Sequence, residues 1–299
     1  MLVVQLALPL CVSLWAAPLP AASCESPATC LQLVRSAVAN EVAHSNDPTK
    51  HLFHSRKESA QGSQTRLYVE TRDAMAGMTI AYNDKPLTAA ETQGEEGRLS
   101  WLESHTDQLK RKHAQELEAA DRSLRIVKAL PDAFLFEYDG EENDPADASS
   151  KYKLVRLKFH PNPSYQPPTH VEQVLVGMQG VLVIDPVGLR IAKIDGTLFR
   201  EVGFGWGILG HLDKGGHFLV EQRNVGNGCW EVSHMSLAFT GKILLFKNLS
   251  IKSDEVLTDF RRVPDNTTFP QGVELLKAEE IKLTQTRSAE VLKPQTRSR

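Results

Sequence analysis

Ten histidines and four cysteines are the side chains of this 299-residue sequence best suited to metal binding, nucleophilic attack or proton transfer. Their spacing supports none of these. Neither an H-E-x-x-H pair, which sets two histidines one helical turn apart around a base, nor a C-x-x-C pair occurs. His51 and His54 form one close pair and His211 and His217 another, each without a convergent third ligand in sequence. Ser233 and His234 are neighbours in a strand-like run, where successive side chains point to opposite faces, which defeats a Ser/His dyad. No G-x-S-x-G elbow is present, and Glu141 and Glu142 sit in an acidic loop as solvated charge. Gly205, Gly207 and Gly210 spell a formal G-x-G-x-x-G, but a strand beginning at His217 follows where a dinucleotide site needs a helix N-terminus. A P-loop is also lacking. The sequence thus offers no catalytic residue, no metal-ligand set and no cofactor site.

The same glycine-rich segment suits a different chemistry. Phe204, Trp206, Ile208 and Leu209 form either a glycine-relieved crossing between strands or an apolar flap at a cavity mouth or membrane surface. With Phe218, Trp230 and Phe246 as wall residues, they are the candidate ligand-binding side chains. A formal net charge of -3 provides no field that would draw the chain onto nucleic acid.

These residues must be carried by an exported body. Residues 2–19 are almost unbroken in apolar character, short for a membrane span, and lead into Ala21, Ala22 and Ser23, as a signal peptide over 1–23 requires. Cleavage there leaves Cys24, Cys30 and Cys229. In an oxidising compartment the near partners Cys24 and Cys30 would close a tight loop around Pro27, with Cys229 a small buried hydrophobe beside Trp230. The alternative makes Cys24 a lipidated N-terminal anchor, although the usual Leu three positions before it is absent.

Apolar residues at Leu31, Val34, Val38 and Val42 predict an amphipathic helix over 30–42, followed by strands at 52–59, 65–71 and 78–82. A long charged helix over 92–130 carries a thin stripe through Leu99, Leu102, Leu109, Leu117, Leu124 and Val127, weakened early by Gly94 and Gly97 and stopped at Pro131. Thr88 and Glu91 have the types of a capping box. The rest is strand-rich, with Asn227-Gly228 its strongest hairpin signal and a final strand over 255–261. From 277 to 299 the composition predicts a disordered tail. The expected architecture is α+β: one domain over 24–276, a curved antiparallel half-barrel of about ten strands with an N-terminal helix and a long inserted helix.

The segments CLQLVRSAVANE, LPDAFLFEYDGEE, FHPNPSYQPP, GVLVIDP and FGWGILGHLDKGGHFLVEQ, in this order, resemble a group of uncharacterised exported bacterial proteins. Their sheet in turn resembles the outer-membrane lipoprotein carrier (LolA-like) superfamily. The resemblance implies a half-barrel whose open side is filled by helices and holds acyl chains, in the periplasm or cell envelope. The expected function is a non-enzymatic binding protein that shelters a lipid or acylated protein between sheet and helices. An envelope protein-interaction or stress-sensor module, engaging its partner through the long charged helix, is the alternative.

Overall fold

The computed structural model describes residues 24, 26–145, 151–204, 210–243 and 247–291. The expected signal segment, Trp206, Ile208, Leu209 and Phe246 lie outside them. Helix α1 (Pro27–His44) opens with a capping box in which Ser26 and Thr29 bond each other's backbone N–H groups, and Pro27 occupies its first turn. Cys24 and Cys30 are joined in a disulfide, with Cα atoms 4.6 Å apart, and Cys229 is free. A meander of β1 (Lys50–Ser59), β2 (Gly62–Val69), β3 (Ala76–Tyr82) and the short β4 (Lys85–Pro86) follows.

The predicted long helix is two helices, α2 (Ala89–Ser104) and α3 (Thr106–Ala133). The Thr88/Glu91 capping box starts α2 ahead of Gly94 and Gly97, which lie inside it. The break is at His105, whose non-helical backbone (φ -114°, ψ 73°) lets its ring stack on Trp101 at 4.3 Å. Pro131 lies inside the last turn of α3, two residues before its end.

The chain continues through β5 (Phe134–Glu142), β6 (Leu154–Pro161), a 3₁₀ helix (Glu172–Gly177), β7 (Met178–Asp185) and β8 (Arg190–Leu198). Then come β9 (Val202–Phe204), β10 (Gly210–Leu212), β11 (His217–Gly226), β12 (Cys229–Ile243), β13 (Lys247–Val263) and α4 (Phe269–Val291). Asn227 and Gly228 both have positive φ, 53° and 77°, so the β11–β12 hairpin turns where the sequence predicts. The final strand expected over 255–261 is instead part of the 17-residue β13.

Among the described residues thirteen strands form one antiparallel sheet in the order β4-β3-β2-β1-β13-β12-β11-β8-β7-β6-β5, with β10 on β12 and β9 on β10. The three strands beyond the expected ten are the two- and three-residue pieces β4, β9 and β10, too short to leave a periodic pattern. The outer members β4 and β5 do not meet, so the sheet is an open half-barrel in an α+β domain. Helix α1 packs on α3, β5 and β8, and this end of the sheet shares one core. The other end is a second core, of β1–β3 with α2 and α4. Among the described residues no helix is long and apolar enough to cross a membrane.

Helix α4 corrects the expectation of disorder from 277. Phe269, Val273 and Leu276 recur at i, i+4 and i+7 and are fully buried against β2 and β3. Thr268 and Gln271 cap its start, and the Phe269 N–H donates to Asp73 at 2.9 Å. Beyond Leu276 the helix presents only isolated contacts, such as the buried Glu279 against Arg261 and His54, which polar composition conceals.

Candidate functional site

The end of the sheet under α1 and α3 is not filled. A cavity of about 400 Å³ opens between the last turns of α3, the 3₁₀ helix and the sheet. Its floor is built by period-two alternation along neighbouring strands: Phe159 on β6, Ile194 on β8, Phe218 on β11, and Leu237 and Phe239 on β12. Phe218 and Leu237 are directly opposed in the β11–β12 ladder and so share a face. Ile126 and Leu130 roof it from α3, Val174 and Leu175 close one side, and Phe204 and Leu212 rim it from β9 and β10. Every lining side chain is apolar except the exposed His170.

Two glycines set the depth. A Cβ on Gly196 would stand 2.2 Å from the Phe218 ring, and one on Gly216 would stand 2.4 Å from the Phe239 ring. Each aromatic therefore lies down on a bare backbone instead of standing into the space above it.

Of the candidate side chains, Phe204 and Phe218 face this cavity. Trp230 does not. It packs with Leu154, Val183 and Ala192, the strand neighbours of Val155, Leu182 and Ile191, which belong to the helix-covered core. Alternation turns the indole to the opposite face, where the Arg190 guanidinium lies 6.0 Å over its ring. Ile126, Leu130 and Val174 are cavity residues the sequence reading missed. Ile126 and Leu130 belong to the last turns of α3 and Val174 to the 3₁₀ helix, and the strands they meet are distant in the chain.

Six of the ten histidines, His44, His51, His54, His211, His217 and His234, lie within ion-pair distance of a carboxylate. Ser233 donates to the Glu221 backbone carbonyl at 3.3 Å, whereas His234 bridges the Glu221 and Asp254 carboxylates at 3.2 and 3.1 Å. His51 is buried with Nδ1 3.2 Å from Glu231 and 3.6 Å from Glu70. The Glu70 carboxylate raises His51 above the ordinary imidazole range against the opposing effect of burial. Burial, reinforced by Glu70, pushes Glu231 up to about 7. His211 does gain the third ligand that its sequence neighbourhood lacks. Its imidazole, Glu201 and Asp213 place ligand atoms within 4.8 Å of one another across the β9–β10 hairpin. The same atoms form an ion pair when His211 is protonated, with Nε2 3.3 Å from Asp213.

No protein-family model and no curated protein matches the chain. Two solved structures are similar. One is an outer membrane lipoprotein-sorting protein domain from Vibrio parahaemolyticus, 14% identical, covering 81% of this chain and 97% of that chain at a TM-score of 0.29. The other is a DUF1329 family protein from Desulfovibrio piger, 9% identical, covering 78% and 92% at a TM-score of 0.29.

Proposed function

We propose that this is an exported, non-enzymatic binding protein that shelters an acyl chain, of a lipid or an acylated partner, in the cavity between α3 and the sheet. The observation that carries the reading is the cavity wall, apolar throughout but for His170 at its mouth. A lining that offers no directed hydrogen bonds inside suits a ligand bound by burial alone. Each methylene taken out of water contributes about 0.8 kcal/mol, so eight to ten of them give roughly 6–8 kcal/mol before the costs of association. Long chains are then retained and short ones are not. Purification, solvent extraction and mass spectrometry test this: a reproducible acyl species is expected, and an empty protein that also fails to take up acyl probes removes the proposal.

Export of a free protein is the localisation this reading favours. The disulfide and a lipid thioether compete for the single sulfur of Cys24, and the Cys24–Cys30 bond supports the unanchored form. The intact mass and N-terminal sequence of the purified protein decide between them.

A further inference from the structure

The apolar cavity shares its face of the sheet with another recess. The second, of about 450 Å³, lies under α2 and the first turns of α3, over β1–β3 and β13. Its lining mixes apolar side chains, among them Phe53, Tyr68 and Leu102, with Arg66, Arg98, Lys112, Glu116 and Glu255.

All but one of these charges are matched inside the protein. Arg98 holds Glu95 at 2.9 Å and the Gly77 carbonyl at 2.6 Å. Lys112 closes on Glu116, which also accepts the Met75 N–H at 3.0 Å. Glu255 accepts from Ser55 at 2.6 Å and pairs with Lys57 at 3.4 Å. Arg66 remains. Among the described residues no carboxylate lies within ion-pair distance of it; Glu95 feels its charge but bonds Arg98. The Arg66 Nε is shielded from solvent with no hydrogen-bond partner, and its guanidinium lies 5.2 Å over the Tyr68 ring. A half-buried guanidinium with an unsatisfied donor is costly unless an acceptor arrives from outside.

Strand register connects the recesses. Ile194 on the cavity floor opposes Val220, Val220 opposes Met235, and Met235 opposes Glu255 of the second recess. Directly opposed residues share a face, so Ile194, Val220 and Met235 form a half-open apolar path toward Glu255. In the next row Leu257, Ser55 and Arg66 are opposed across β13, β1 and β2. From Leu237 on β12 to Arg66 on β2 is three strand spacings across and about four residues along, roughly 20 Å, the reach of an extended long acyl chain.

We propose that the ligand is a single-chain amphiphile with an anionic head, its chain in the apolar cavity and its carboxylate or phosphate on Arg66. This rests on the acyl-chain reading and adds the head-group chemistry. Arg66 supplies planar paired donors, and the Tyr68 face keeps the guanidinium aimed into the recess.

The test is displacement of a fluorescent acyl probe from the full chain by hexadecanoate, hexadecyl phosphate and hexadecanol, with inorganic phosphate and acetate alone. Hexadecanoate and hexadecyl phosphate are expected to bind at least tenfold tighter than hexadecanol, and the small anions not to compete. Arg66→Met should bring the three amphiphiles within about twofold of one another while leaving hexadecanol unchanged. Arg66→Lys should keep part of the preference. Equal binding of hexadecanoate and hexadecanol by the unaltered protein overturns the head-group site and leaves the cavity standing. So does an anion preference that survives Arg66→Met. Competition by phosphate or acetate alone overturns it in favour of a small-anion site. No displacement by any amphiphile, with no probe uptake, removes the cavity reading itself. The ligand series in the unaltered protein keeps the test decisive if a variant fails to fold.

Discussion

Glu41 on α1 and Arg190 at the start of β8 meet in a two-pronged ion pair, with Nε to Oε1 and Nη2 to Oε2 both 2.9 Å. The Ile191 N–H donates to the same carboxylate at 3.0 Å, and the two side chains are only 11% and 8% exposed. The pair pins the N-terminal helix to the start of β8. Glu41→Ala leaves a buried guanidinium and a backbone donor without partners, and is expected to cost about 3–5 kcal/mol in urea unfolding. Replacing both, as Glu41→Met with Arg190→Leu, should cost less than the single change. A double variant weaker than the single one would assign the stability to the charges themselves.

Stability is expected to fall as pH rises from about 4.5 to 7. Unfolded Glu231 releases its proton near 4.5, whereas burial beside Glu70 holds that proton in the folded protein to about 7. Over that interval the folded state binds more protons, so each step up in pH favours unfolding. His51, raised by Glu70, acts in the same direction: it stabilises most when protonated and loses this as pH rises through its folded value. Glu231→Gln should flatten the profile and exceed the parent at pH 8 by about 2 kcal/mol. Parallel denaturation profiles for variant and parent would place the pH dependence elsewhere.

Local signals in the chain were legible where a few adjacent residues settle the geometry. Asn227-Gly228 marks its hairpin, Thr88 and Glu91 cap α2, and Leu31 to Val42 marks α1, because each depends on backbone conformation or period within one element. What depends on pairing across the sheet was not. Trp230 and Phe218 look equivalent in sequence, yet register puts one on each face. Arg66 is one of 34 Lys and Arg residues, and only the internal pairing of Arg98 and Lys112 singles it out. The cavity itself joins Ile126 to Phe239, segments more than a hundred residues apart.

The floor of the cavity can be raised from below. Gly196 has ordinary backbone conformation, but a side chain there meets the Phe218 ring at 2.2 Å and drives it upward into the ligand space. Gly196→Val is expected to lower acyl-probe affinity at least tenfold while the protein keeps a cooperative transition. Phe218→Ala added to Gly196→Val should restore binding by removing the displaced ring. Unchanged affinity in the single variant would place the ligand elsewhere.

Gly94 and Gly97 lie within α2 with nothing inside 4 Å of an added Cβ and without positive φ. Each glycine weakens the helix through backbone freedom and gains no close approach in return. Gly94→Ala and Gly97→Ala should therefore each stabilise the protein by about 0.5–1 kcal/mol. Thermal melts read this directly, and destabilisation by either change would mean that α2 bends or unwinds during function.

Truncation separates the two parts of α4. Phe269, Val273 and Leu276 fill the core over β2 and β3, and the buried Glu279 ties Arg261 and His54 to the helix. A chain ended after Pro264 exposes that core, and removal of three buried large side chains costs on the order of 6–9 kcal/mol, comparable to a whole domain's stability. It is expected to be insoluble or molten. A chain ended after Arg287 keeps every one of these contacts and should melt within a few degrees of the parent. If the shorter chain instead folded and melted cooperatively, α4 would be a peripheral element, and the polar composition beyond residue 276 would have described its role correctly.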